Sequence, residues 1–118
     1  MFTSKTRFTF VTLAIALTGC GSGYGSTAAP PPPANTVAAT NAITFTPATL
    51  HVSAGDIVRF TFGSVAHNVF FAAQTGAPAD IAGTNANVAV EREFAVPGTY
   101  TYSCHIHPQM QGSVVVSQ

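Results

Sequence analysis

From residue 42 onward, apolar side chains recur at every second position, and no segment has a convincing helical period. Val58, Phe60 and Phe62 fall on one side of an extended segment, with Arg59 and Thr61 on the other. That is the signature of a strand with one buried face. Ile43 and Phe45 alternate with Thr44 and Thr46 until Pro47, and Leu50 and Val52 precede the turn Ala54-Gly55-Asp56. Val69 and Phe71 continue the pattern beyond His67. Val88, Val90, Arg92 and Phe94 alternate with Ala89, Glu91 and Glu93. Pro97-Gly98 supplies another turn, Tyr100 and Tyr102 follow, and Val114 to Val116 form a last apolar run. Ala72 to Asn87, rich in Ala, Gly, Asn and Pro, reads as a long loop or irregular edge. About seven to eight short strands without an internal repeat predict an all-β Greek-key sandwich over residues 41–118.

The N-terminal third has a different character. Lys5 and Arg7 precede an apolar stretch, Phe8 to Leu17, that is too short to span a bilayer as a stable helix and reads as a signal peptide over residues 1–19. Leu17-Thr18-Gly19-Cys20 resembles a bacterial lipobox, in which the chain is cut before the cysteine and Cys20 is lipidated. An ordinary secretory signal with a coincidental cysteine is the alternative. More than one acyl chain on Cys20 would suffice for durable anchoring. Residues 20–40 then read as a tether, flexible through Gly21-Ser22-Gly23-Tyr24-Gly25-Ser26 and stiffer through Pro30 to Pro33, with no packed structure expected. These features place the folded part on the periplasmic, extracytoplasmic side of a bacterial cell envelope.

Without Lys5 and Arg7, two cations, Arg59 and Arg92, stand against Asp56, Asp80, Glu91 and Glu93. The mature chain is weakly acidic and sparsely charged. No basic stripe exists to hold nucleic acid, and partner contacts are expected to be mainly apolar.

The chemistry concentrates near the C-terminus, in Cys104-His105-Ile106-His107-Pro108-Gln109-Met110, with His67 far upstream. Cys104, His67, His107 and Met110 provide one thiolate, two imidazoles and one thioether, the donor set of a mononuclear blue-copper site. Gln109 and Gln111 are alternatives for the weak axial position, although spacing favours Met110. His105 is read as a non-ligand because neighbours on an extended segment point to opposite sides. His51 is a non-ligand for a similar reason, alternating with Leu50 and Val52. The only two cysteines are Cys20 and Cys104, and a disulfide between them would consume the copper thiolate. A structural zinc usually takes four strong ligands, which this set does not offer. A multicopper oxidase needs more than four histidines and a histidine where Ser103 stands, and a binuclear copper centre needs a second nearby cysteine.

Beyond those ligands, the ordered pieces Phe45-Thr46-Pro47, Ala54-Gly55-Asp56, His67-Asn68-Val69, Pro97 to Cys104 and His107 to Gly112 resemble the cupredoxins, in particular their amicyanin and plastocyanin-like branch. The resemblance covers Ala42 to Val116. The two-residue gap between His107 and Met110 looks like amicyanin, whereas Ile106 departs from it, since that family has proline there. The resemblance implies one type 1 copper per chain and no enzymatic reaction. It also implies a monomer that passes single electrons between redox partner proteins. Asn68 would hold the ligand loop by a hydrogen bond across the site. Ile106, unlike proline, keeps an N–H, which is expected to reach the Cys104 sulfur as happens in azurin. A half-exposed His107 near Ile106, Pro108, Gly63 and Ala66 would offer the docking patch. The rival is a copper-binding or copper-homeostasis protein without a redox circuit, but methionine clusters that release copper readily are absent.

Overall fold

Nine strands and no helix form among the described residues, 34–118 of a computed structural model. The expected signal peptide, Cys20 and the expected tether up to residue 33 lie outside these residues. The strands are β1 (Thr36–Ala39), β2 (Phe45–Thr46), β3 (Thr49–Ser53), β4 (Asp56–Phe62) and β5 (His67–Phe71). They continue with β6 (Ile81–Asn85), β7 (Ala89–Phe94), β8 (Gly98–Ser103) and β9 (Gln111–Ser117). One sheet has the order β2-β1-β4-β7 and the other β3-β9-β8-β5-β6. The chain repeatedly changes sheet, from β2 to β3, β3 to β4, β4 to β5, β6 to β7 and β7 to β8. The result is a two-layer β-sandwich.

The alternation seen in the sequence becomes the sandwich interior. Val58, Phe60 and Phe62 of β4 are buried, as are Tyr100 and Tyr102 of β8 and Val114 and Val116 of β9. Aromatic edges meet faces across the layers: Tyr102 packs T-shaped on Phe45 at 4.8 Å and on Phe60 at 5.5 Å. Such pairs contribute about 0.5–1.5 kcal/mol beyond their burial. The Tyr102 ring also lies over Gly112, its cross-strand partner, where an added Cβ would stand 2.5 Å from the hydroxyl. Only glycine permits that approach. The Tyr100 hydroxyl donates to Val96 O at 2.6 Å, pinning the turn before β8.

Two boundaries differ from the sequence reading. The tether was expected to reach Thr40, yet Thr36–Ala39 is strand β1, with Val37 and Ala39 buried. Its partner is β4 in parallel register, Val37 opposite Phe60 and Ala39 opposite Phe62. Parallel pairing depends on residues distant in the chain, and four small residues are too few to show a period of their own. Within the expected loop, Ile81–Asn85 forms the edge strand β6, whose only fully apolar anchor is Ile81. With β1 and β6 added, the nine strands exceed the expected seven to eight.

Candidate metal centre

His67 is the first residue of β5, and Cys104 follows the last residue of β8. Both are fully buried. The β8–β9 ladder ends at Ser103 opposite Gln111, and the Cys104 N–H donates to Met110 O at 3.0 Å, closing the neck of the loop. Inside the neck, the Met110 N–H donates to His107 O at 2.9 Å. That bond defines a tight turn with Pro108 and Gln109 at its centre, and the fixed φ of proline suits the first central position. The seven-residue spacing thus folds into a closed loop with Cys104 and Met110 paired at its base and His107 at the start of its turn.

Three donor atoms converge. His67 Nδ1 lies 3.2 Å from His107 Nδ1, and Cys104 Sγ lies 4.0 Å from the first and 3.9 Å from the second. A point in the plane of this triangle about 2.0–2.1 Å from both nitrogens falls about 2.3 Å from the sulfur, the lengths at which imidazole and thiolate bind a late first-row ion such as zinc. The residues therefore fit one ion in a trigonal N₂S setting, and among the described residues this trio is the group placed to hold a metal. Met110 is 2% exposed, whereas Gln109 and Gln111 are exposed turn and strand-edge residues. Of the three, Met110 is the side chain enclosed at the loop base.

The surrounding hydrogen bonds aim these donors. His67 Nε2 lies 3.0 Å from Thr40 O. A carbonyl only accepts, so Nε2 carries a proton and Nδ1 is the ring nitrogen that faces the centre. Asn68 is buried and makes three bonds: its N–H donates to Cys104 Sγ at 3.5 Å, its Oδ1 accepts from the His105 N–H at 2.7 Å, and its Nδ2 donates to Gly83 O at 3.2 Å. The Asn85 amide donates to His67 O at 3.1 Å.

The expected bond from Ile106 to the sulfur is not formed. The backbone donor to Cys104 Sγ is Asn68, and among the described residues the Ile106 N–H makes no bond to it. Ile106 instead sits 39% exposed beside His107. The loop is short and necked at Cys104 and Met110, and β5 runs close enough for its own amide to serve the sulfur. The His105 side chain is exposed and stacks on Phe70 at 3.9 Å, nearly parallel at 4°. His51 is exposed on β3. Thr40, Gly83 and Asn85 escaped the sequence reading, because two of them act through backbone carbonyls and carry no side-chain signature.

Comparison with known proteins agrees with this geometry. Residues 33–117 match the family described as copper binding proteins, plastocyanin/azurin family. Amicyanin-alpha of Methylorubrum extorquens is 37% identical over 70 residues, covering 57% of this chain and 59% of that protein. The chain thus spans less than two thirds of that relative's length. Plastocyanin of the fern Dryopteris crassirhizoma is 31% identical over 88 residues, covering 61% of this chain and 86% of its own. Among solved structures, a reduced amicyanin mutant superposes with a TM-score of 0.61 at 32% identity, over 70% of this chain and 80% of that one.

Proposed function

The chain belongs to the plastocyanin/azurin family of copper-binding proteins, and on that premise we propose that it carries single electrons between redox partner proteins. His67, Cys104 and His107 would hold one copper, with Met110 as a weaker fourth donor. The observation that carries this reading is the convergence of two imidazole nitrogens and the cysteine sulfur at distances that suit one ion. Copper bound there supplies a one-electron Cu(II)/Cu(I) couple.

The protein's own part is to keep the donors still. Thr40 O holds the His67 ring, Asn68 joins β5 to the ligand loop, and the Cys104–Met110 bond closes the loop. Donors fixed in this way rearrange little when charge changes. His107 is the half-exposed member of the trio, with exposed Ile106 and Pro108 beside it in the chain. Its ring edge is the route for an electron between the site and a docked partner, and the mainly apolar surroundings favour contact without strong electrostatic steering.

We read the chain further as an exported monomer held at the membrane through lipidated Cys20, on the strength of the lipobox-like Leu17-Thr18-Gly19-Cys20. The visible spectrum of the Cu(II) protein tests the central assignment. An intense thiolate charge-transfer band is expected in the wild type and is absent from Cys104→Ser. A blue Cys104→Ser protein would overturn the site. Copper bound without a reversible one-electron wave would favour a homeostatic role.

A further inference from the structure

Three residues of β6 stand opposite one residue of β5. The register pairs His67 with Asn85 and Val69 with Ile81, leaving Ala82, Gly83 and Thr84 facing Asn68 alone. This bulge turns a backbone carbonyl, that of Gly83, toward Asn68. Gly83 has a φ of +84°, a left-handed conformation that side chains rarely adopt, while a Cβ built there would meet nothing within 4 Å. Conformation alone, and not space, calls for glycine.

That conformation has a target. Gly83 O accepts the Asn68 Nδ2–H at 3.2 Å, and Asn68 Oδ1 accepts the His105 N–H at 2.7 Å. A carbonyl only accepts and an amide N–H only donates, so the two partners together allow one orientation of the Asn68 side chain. Asn85 closes the bulge from its other end, donating from one amide nitrogen to His67 O and to Ala82 O, each at 3.1 Å. Asn68 is also the residue whose N–H reaches Cys104 Sγ.

We propose that the β6 bulge is a positioning device for the ligand loop, and that Gly83 is its positioning residue. The left-handed turn aims the Gly83 carbonyl at Asn68 Nδ2, which sets the Asn68 amide. The amide then holds the His105 N–H, and through it the backbone that follows Cys104. An edge strand that contributes no donor to the site thus governs how firmly Cys104 and His107 are presented. This rests on the copper reading only for its effect on potential; the hydrogen-bond chain itself exists without metal.

The test compares Gly83→Val with Gly83→Asn in the full chain, both copper-free and loaded with Cu(I). A β-branched residue resists positive φ, whereas asparagine tolerates it. Amide exchange of the His105 N–H, read by NMR, should quicken at least about tenfold in Gly83→Val, with one tenfold step being 1.4 kcal/mol of lost protection. In Gly83→Asn it should return to within about threefold of wild type. The reduction potential should shift in the first variant and recover in the second. Unchanged His105 exchange in a folded Gly83→Val protein would overturn the proposal, as would equal loss in both variants. If Gly83→Val does not fold, Asn68→Asp decides. It keeps an acceptor for His105 but puts an oxygen against Gly83 O, so His105 protection should fall, and full protection there would also overturn the proposal. A failed copper assignment would leave these exchange results standing.

Discussion

Thr40 O and His67 Nε2 lie 3.0 Å apart, joining the end of β1 to the first residue of β5. The same carbonyl accepts the Ile43 N–H at 3.1 Å within the β1–β2 turn, where Ile43 has a φ of 60°. A branched residue seldom adopts such a value, and it does so here in the turn that backs a buried histidine. The copper-free protein should therefore carry the neutral His67 proton on Nε2. Long-range ¹H–¹⁵N NMR of the ring reads the tautomer directly, and an Nδ1–H ring would contradict the bond.

Met110→Gln should keep the copper and lower its potential, because an oxygen donor favours Cu(II) more than a thioether does. A shift of at least about 59 mV, a tenfold change in the one-electron equilibrium, is expected. Voltammetry that finds the potential and spectrum unchanged would make Met110 a packing residue only.

Ile106→Pro should move the potential by less than about 30 mV, under half of a tenfold step. Its amide makes no bond to Cys104 Sγ, since that place is taken by Asn68, so proline removes no hydrogen bond from the sulfur. Voltammetry in one buffer checks this, and a large fall would show that the Ile106 amide reaches the sulfur in solution.

Tyr102 predicts a pH effect. Its hydroxyl is buried without a hydrogen-bond partner, and burial pushes its pKa well above the usual 10.0. The unfolded chain then loses this proton first as pH rises, so the native state holds more protons above pH 10 and loses stability there. Below pH 10 the contribution is constant. Tyr102→Phe should flatten the alkaline fall and raise stability at neutral pH by about 1 kcal/mol, since an orphaned hydroxyl is removed at nearly the same shape. Thermal melts from pH 7 to 11 provide the comparison.

Cys20→Ala should leave the precursor uncleaved at the lipobox and free of lipid. Membrane fractionation and intact mass in a bacterial host measure both. Normal cleavage together with normal membrane retention would rule out the lipoprotein reading.

The β-strand periods and the ligand types were legible in the chain itself. Alternation in Val58-Arg59-Phe60-Thr61-Phe62 depends only on neighbours, and so does the spacing of Cys104, His107 and Met110. Both survive in the structure because a strand buries every second residue whichever strands surround it. Beyond the Asn68 side chain, what lies across the site was not legible. That β1 pairs with β4, that Thr40 O backs His67 and that Asn68 N–H takes the sulfur each depend on a backbone group, which nearly every residue carries alike. Side-chain identity leaves no mark of them. Residues 36–39 looked like tether and residues 81–85 like loop for the same reason: short segments draw their order from the partners they meet. The sequence by itself determined the donors and the face each strand would offer to the core. Only the tertiary structure decided which amide, carbonyl and bulge would hold those donors in place, because such bonds are made between segments that no local pattern connects.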